Sequence, residues 1–418
     1  MNNSPETMPA NSDAIKPPLT TRQRWKRYCL KLAFSLFVAL IALKIGDWAI
    51  GRLRHTSERH WLRLVPYSAE RHTSTEFDYV FHTNSLGFRG PDIPFEKPQG
   101  TRRIVVLGDS FVSGVGVADE DVFTQKLQNL FEKQSSKTEI INLGRTGSST
   151  IREYDLYRKY GRKYQPDVVI LVFFLGNDLA EINEEMTAEE LANWKPSGFL
   201  RSTAYTLYPN LYLELAMRKK PAEPKSRTQS ELVKLVESEA RRRGLDTNWA
   251  VKRLRKIPKS VRTATCDGTF PLVRLMHACL DPTRYERSLS PNDDEFNKSW
   301  PRVTHHLNLL LEAVREDGAV LRILALPESV QVDDAAVAFN RKLGFVVRDE
   351  WRTGTCRTER ALHSWARKHQ IGYLNLTDIF RGSPESIYHI WDSHLNAKGH
   401  ELTAKELFNW LQKSKFLK

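Results

Sequence analysis

Asp167 to Phe174 (DVVILVFF) is an unbroken apolar run of strand length. A strand with one wet face alternates apolar and polar residues, so a run without alternation needs cover on both faces, as in a parallel sheet flanked by helices. The same rhythm recurs along the chain. Arg103 to Leu107 predicts a strand and Phe123 to Phe131 a helix; Ile140 to Leu143 a second strand and Ile151 to Tyr164 a second helix. After a long gap come a helix at His305 to Val314, a strand at Val320 to Ala325 (VLRILA), a helix at Thr358 to Lys368, a strand at Gly372 to Leu376 and a closing helix at Gly399 to Leu411. Strands alternating with helices build a parallel sheet with right-handed crossovers, so the expected fold class is α/β.

Between Leu179 and about Trp300 the alternation gives way to polar, basic helices and loops, read as an insertion or cap. Near the start, Leu32 to Leu43 (LAFSLFVALIAL) is wholly apolar and follows Arg22, Arg24, Lys26, Arg27 and Lys31. A membrane span needs roughly twenty residues. Lys31 and Lys44 can snorkel, and Ile45, Trp48, Ala49 and Ile50 extend the stretch past Asp47. No small-x-small cleavage site follows, which favours an uncleaved signal-anchor over a cleaved leader. Five cations before the run against four after it put the N-terminus in the cytoplasm and the rest of the chain outside. The expected organisation is a flexible basic tail (1–27), a transmembrane anchor (28–50), a lead-in (51–101), a core domain (102–180 and 301–418) and a basic, mostly helical insertion (181–300).

The formal charge is +13, and the stretch from Arg218 to Arg262 holds fifteen Lys/Arg against five Asp/Glu. Such a block is a solvated helical face, or a surface for anionic lipid or an acidic polymer. No nucleic-acid-binding motif accompanies it, so no nucleic-acid partner is expected. Cys29, Cys266, Cys279 and Cys356 show no C-x-x-C spacing and exclude structural zinc; Cys266 and Cys279 are either a disulfide or two buried thiols. No metal and no cofactor is expected.

In an open parallel sheet, ligands bind beyond the carboxyl ends of the strands. There lie Gly108-Asp109-Ser110 after the first strand, Gly144-Arg145-Thr146-Gly147 after the second, Gly176-Asn177-Asp178 after the third, and Asp392-Ser393-His394 between the last strand and last helix. A serine hydroxyl is a weak nucleophile until a base takes its proton, and an imidazole titrates near working pH. Ser110 and His394 fit these roles, with Asp392 holding the imidazole tautomer. The backbone N–H groups of Ser110 and Gly147 and the Asn177 amide are candidate donors to an oxyanion.

These four ordered blocks resemble the SGNH, or GDSL-type, hydrolase superfamily. The resemblance covers roughly residues 102 to 180 and 318 to 412. It implies a flavodoxin-like three-layer sandwich in which Ser110 is nucleophile and oxyanion donor, Gly147 and Asn177 complete the oxyanion hole, and Asp392 and His394 complete the triad. Spacing from Asn142 favours Gly147, with Gly144 the second choice. The usual last block is D-x-x-H, whereas Asp392 and His394 are one residue apart. The spacing is similar to that of bacterial members acting on surface polysaccharides, and Asn84 to Gly90 is similar to a lead-in of membrane-linked members.

The expectation is a membrane-anchored esterase cleaving an O-acyl, chiefly O-acetyl, ester. Its rivals are an O-acyltransferase acting on an envelope polysaccharide and a catalytically silent glycan-binding protein. Expected partners are an acylated small molecule or polysaccharide and, through the N-terminal helix, membrane lipid.

Overall fold

The computed structural model describes residues 20–54, 65–187, 190, 195–218 and 226–413. They fall into two compact units, Met1–Ser57 with Lys195–Lys219, and Glu58–Trp194 with Lys220–Lys418.

The second unit is built on a five-stranded sheet. Its strands are β3 (Arg102–Gly108), β4 (Thr138–Gly144), β5 (Val168–Phe174), β6 (Val320–Leu326) and β7 (Gly372–Asn375), all parallel, in the order β4-β3-β5-β6-β7. A short antiparallel hairpin, β1 (Ala69–Thr73) with β2 (Asp78–His82), precedes them. Period-two alternation sends each strand's apolar residues to two separate cores. Val105, Leu107, Val169, Leu171, Phe173 and Ile323 join one, with helices Thr150–Lys159, Asp293–Glu316 and Arg357–Lys368. Ile104, Val106, Ile170, Val172 and Leu324 join the other, with helices Phe123–Lys133 and Ala397–Lys413. This is why the strands read as continuous apolar runs, and it makes the domain a three-layer α/β sandwich.

The strand order places a switch point between β3 and β5, where successive crossovers leave on opposite faces and open a crevice at the carboxyl ends. The first and third blocks lie at this crevice.

Several elements differ from expectation. The predicted tail 1–27 lies outside the described residues up to residue 19; from Thr21 the chain is already helical, in one helix Thr21–Arg54. Thr20 and Gln23 exchange capping hydrogen bonds that start this helix seven residues before the expected span. The helix expected at 151–164 breaks at Tyr160 into a 3-10 turn, Gly161–Tyr164. There, a side chain on Gly161 would press into the Tyr157 ring. The helix Asp334–Leu343, capped by Asp333 and ended by Gly344 at positive φ, was not expected, nor was the β1–β2 hairpin in the lead-in.

The insertion is not one cap. Residues 195–219 group with the N-terminal helix, whereas helices between Gln229 and Leu289 bury Leu232, Val236, Leu254, Phe270 and Leu275 in the same core as the sheet. The helix that begins at Asp293 runs through the expected 300/301 boundary to Glu316. Residues 219–225 of the basic block lie outside the described residues; further along it, Glu239 accepts hydrogen bonds from exposed Arg242 and from Arg243. All four cysteines are free, with Cys266 and Cys279 buried as thiols.

Candidate active site

Ser110 is the first residue of a four-residue helix that starts where β3 ends. Asp109 caps that turn, its carboxylate accepting from the Phe111 N–H at 2.9 Å. Two further elements fix it from behind. Asn142, on β4, donates to the Val112 carbonyl at 2.7 Å. Buried Arg89, from the Asn84 to Gly90 lead-in, donates to the carbonyls of Ser113, Gly114 and Val117 and to Asp119.

The two glycines of the second block divide their work. A Cβ on Gly144 would lie 2.3 Å from the Ser113 nitrogen, and the Gly144 N–H is taken by Asn142 Oδ1 at 2.8 Å. Gly144 therefore lets the helix that begins at Ser110 sit on β4. Gly147 lines the cavity with Ser110 and Asn177, at a φ of +68° that favours glycine.

The third block is held by Asp178, which accepts from the Phe174 N–H at 2.9 Å, and by Ser288 of the insertion, which donates to the Gly176 carbonyl at 2.6 Å. The Asn177 amide donates to Asp109 at 3.4 Å and Glu181 at 3.3 Å.

The last block closes the site. His394 Nε2 lies 2.8 Å from Ser110 Oγ, and His394 Nδ1 is hydrogen-bonded to Asp392 Oδ1. Ser393 sits at a φ of +74°, which curls the chain so that one carboxylate meets both the His394 ring and its backbone N–H at 3.4 Å. For a non-glycine residue this conformation costs roughly 1–2 kcal/mol. Arg274, from the insertion helix Leu272–Leu280, donates to the Ser393 hydroxyl and the Asp392 carbonyl and stabilises the curl. On the other side Glu76, in the β1–β2 turn, accepts from three consecutive N–H groups, Ile390 at 2.7 Å, Trp391 at 2.9 Å and Asp392 at 3.0 Å. The one-residue spacing is thus built by a left-handed serine held between an arginine and a carboxylate from distant segments. Trp391 itself packs on Phe270 and Phe339.

The half-buried segment Ile390–Asp392 loses three satisfied N–H groups together when this acceptor is removed. Glu76→Ala is therefore expected to lower kcat by up to about 100-fold through misplacement of the imidazole, with KM altered far less. Steady-state kinetics on a small aryl ester check this; a loss confined to KM would show that Glu76 does not position the base.

The electrostatics are dominated by burial and by acids. Burial opposes the His394 imidazolium, but the Asp392 charge and hydrogen bond, with Asp109 and Glu328 behind, outweigh it and raise the pKa above the ordinary imidazole value. Burial would also raise Asp392; the charge and hydrogen bond of His394 overcome it and hold the carboxyl at about 2. Asp109 is pushed up to about 6 by burial, partly offset by the Phe111 N–H and His394. Behind it, Glu153 and Asp178 are raised well above the carboxylate range, first by burial and then by neighbouring acids, Asp109 and Glu185 for Glu153 and Glu153 and Asp109 for Asp178.

These groups open onto a cavity of about 270 Å³ whose walls include Phe111, Phe174, Val273 and Phe345 beside Glu181, Arg274, His277 and Arg284. A larger cavity of about 640 Å³, lined by Arg89, Asp119, Gln128 and Glu139, contains neither Ser110 nor His394. No cluster of His, Cys, Asp and Glu among the described residues has the geometry to hold a metal.

A Ser-His-Asp chain of hydrogen bonds at the β3/β5 switch point, with the G-D-S, glycine, G-N-D and D-x-H blocks on one sheet edge, decides the architecture. This is the arrangement that the resemblance to SGNH hydrolases implies. No protein-family model matches the chain, and no curated relative matches it. Among solved structures it is similar to the lipase Lip_vut3 from a goat rumen metagenome (14% identity, 74% of this chain, 97% of that chain, TM-score 0.37). It is also similar to the lipase/acylhydrolase from Enterococcus faecalis (10% identity, 75% and 97%, TM-score 0.35) and to a GDSL-like lipase from Bacteroides thetaiotaomicron (8% identity, 77% and 93%, TM-score 0.34). Glu76 and Arg274 had no sequence signal: neither belongs to a block, and each reaches the site from a segment without strand–helix periodicity.

Proposed function

We propose that the chain is a serine esterase of the SGNH type that hydrolyses O-acyl esters, O-acetyl esters in particular, through an acyl-enzyme. The observation that carries this is the 2.8 Å approach of His394 Nε2 to Ser110 Oγ, with Asp392 on the other ring nitrogen. His394 takes the Ser110 proton as Oγ attacks the ester carbonyl. The tetrahedral oxyanion is met by the N–H groups of Ser110 and Gly147 and by the Asn177 amide, and His394 then protonates the departing alcohol. Water, deprotonated by the same imidazole, releases the acyl group. The cavity of about 270 Å³ suits a short acyl group better than a long chain.

Loss of one oxyanion donor costs about 10²–10³ in kcat. Asn177→Ala is expected to fall in that range with KM little changed, as read by stopped assays on an aryl acetate; an unchanged kcat would remove Asn177 from the oxyanion hole.

We read the helix Thr21–Arg54 as a single-pass anchor with a cytoplasmic N-terminus and the catalytic unit outside. Its apolar stretch has a mean hydropathy of 2.0 and is unburied within the protein. The deciding experiment incubates the enzyme with an acetylated polysaccharide and follows the acetyl group. Free acetate supports the esterase, and acetyl on an added glycan acceptor would reassign the chain as an acyltransferase. Failure of a fluorophosphonate to label Ser110 would leave a glycan-binding protein.

A further inference from the structure

The N-terminal helix carries an acid where a membrane anchor is expected to be apolar. Asp47 is only 5% exposed. Its carboxylate accepts from the Leu211 N–H at 2.7 Å and from the Asn210 amide at 3.3 Å, so it caps the first turn of the helix Pro209–Arg218. One turn earlier, Lys44 donates to the Leu207 carbonyl and lies 5.2 Å from the Tyr208 ring. One turn later, a Cβ on Gly51 would lie 2.5 Å from the Asn210 side-chain amide, so the Asn210 side chain packs against the helix at Gly51. Residues 195–218, more than 140 positions downstream, thus fold onto the anchor helix and form one unit with it.

The contacts at Lys44, Asp47 and Gly51 begin where the apolar run Leu32 to Leu43 ends. Granting the anchor reading above, that is the level of the lipid headgroups. There the clasping pair presents uncovered apolar side chains, with Phe199 83% and Leu200 81% exposed and Leu207 and Leu215 also open. Trp48 is exposed on the anchor helix next to Asp47, Tyr205 and Tyr212 stack edge to face, and Arg201 is exposed on the helix that carries Phe199. Exposed apolar side chains with tyrosine, tryptophan and a cation at the end of a spanning helix are the composition of a membrane-interface element.

We propose that helices Phe199–Leu207 and Pro209–Arg218 form a second membrane contact, seated at the headgroup and acyl boundary of the leaflet where the anchor emerges, with Phe199 and Leu200 in lipid. The occupant is lipid because the helices that carry these exposed apolar side chains are hydrogen-bonded to the anchor helix, whose own apolar run is uncovered. The chain returns to the bilayer from the middle of its catalytic sequence, which accounts for an insertion whose first helices stay outside the core of the sheet.

The test uses the full chain with Cys29→Ser, the other three thiols being buried. Single cysteines replace Phe199, Leu200, Leu36 in the apolar run, and Val346, an exposed residue of the catalytic unit. Each is labelled with bimane and reconstituted in vesicles of phosphatidylcholine and phosphatidylglycerol, with or without a nitroxide on the upper acyl chain. The expected result is loss of most of the emission at positions 36, 199 and 200 in nitroxide vesicles, and none at 346. Quenching at 36 without quenching at 199 and 200 would overturn this contact and leave the anchor intact. No quenching at 36 would remove the anchor reading and this inference with it. A blue-shifted but unquenched probe at 199 and 200 would show a protein covering the patch, and would equally overturn it.

Discussion

Replacing Ser110 by alanine is expected to lower turnover of a small aryl acetate by at least about 10⁴-fold and to abolish fluorophosphonate labelling, without loss of folding. The size of the effect follows from the neighbourhood. The Ser113 hydroxyl, one turn on, is committed to the Ser110 carbonyl at 3.1 Å and lies 3.3 Å from Thr146, so it does not replace the missing nucleophile. The helix start is set by the Asp109 carboxylate and the Phe111 N–H, neither of which involves the Ser110 side chain. Alanine therefore keeps the loop and removes only the attacking atom, and residual activity reflects the oxyanion donors acting on water. Thermal unfolding that matches the parent protein, with activity lost, is the expected pair of readings. Retained turnover would sink the assignment of Ser110 as nucleophile.

How much of this could be read without coordinates depends on where the physics is local. The strands were legible because burial on both faces leaves unbroken apolar runs such as Val168–Phe174, and the sheet order then gathers blocks nearly three hundred residues apart. Ser110, Gly147 and Asn177 were candidates because each follows a strand in a short polar turn, and Asp392 and His394 because they lie between the last strand and the last helix; the structure brings all five to one cavity. Gly144 shows the limit of spacing arguments. Two glycines three residues apart look alike in sequence, yet one is a packing surface for Ser113 and the other lines the cavity.

The supports of the site were not legible for a different reason. Glu76 lies in a turn between two five-residue strands that are mostly exposed and carry no apolar alternation strong enough to announce a hairpin. Its partners, the N–H groups of residues 390–392, are backbone atoms that leave no mark on composition. Arg274 was hidden inside a basic, helical stretch where any arginine reads as a solvated charge, although here it is buried and bonded to the curl at Ser393. The division of the insertion is likewise set by long-range contacts, from Lys44, Asp47 and Gly51 to residues 207–211.

Asp392→Asn is expected to cost about 10⁴-fold in kcat/KM, because an asparagine amide facing Nδ1 favours the tautomer that leaves Nε2 protonated and unable to accept from Ser110. A second signature separates this from simple damage. Only the neutral imidazole is a base, so activity in the parent enzyme rises as pH climbs through the His394 pKa, which lies above the ordinary imidazole value. The acid limb of the pH profile therefore sits high. Asp392 is the largest favourable influence on that imidazolium, and burial opposes it, so removing the carboxylate charge drops the His394 pKa and moves the acid limb to lower pH. Asp109, with its own pKa near 6, retains part of the upward influence because its charge appears over the same range. The limb consequently moves down but keeps a trace of the nearby acid. Profiles of kcat/KM for parent and variant, measured from acid to neutral pH, check both effects. A variant limb that stays in place would show that the aspartate orients the ring without setting its charge, and a limb that moves upward would contradict the triad.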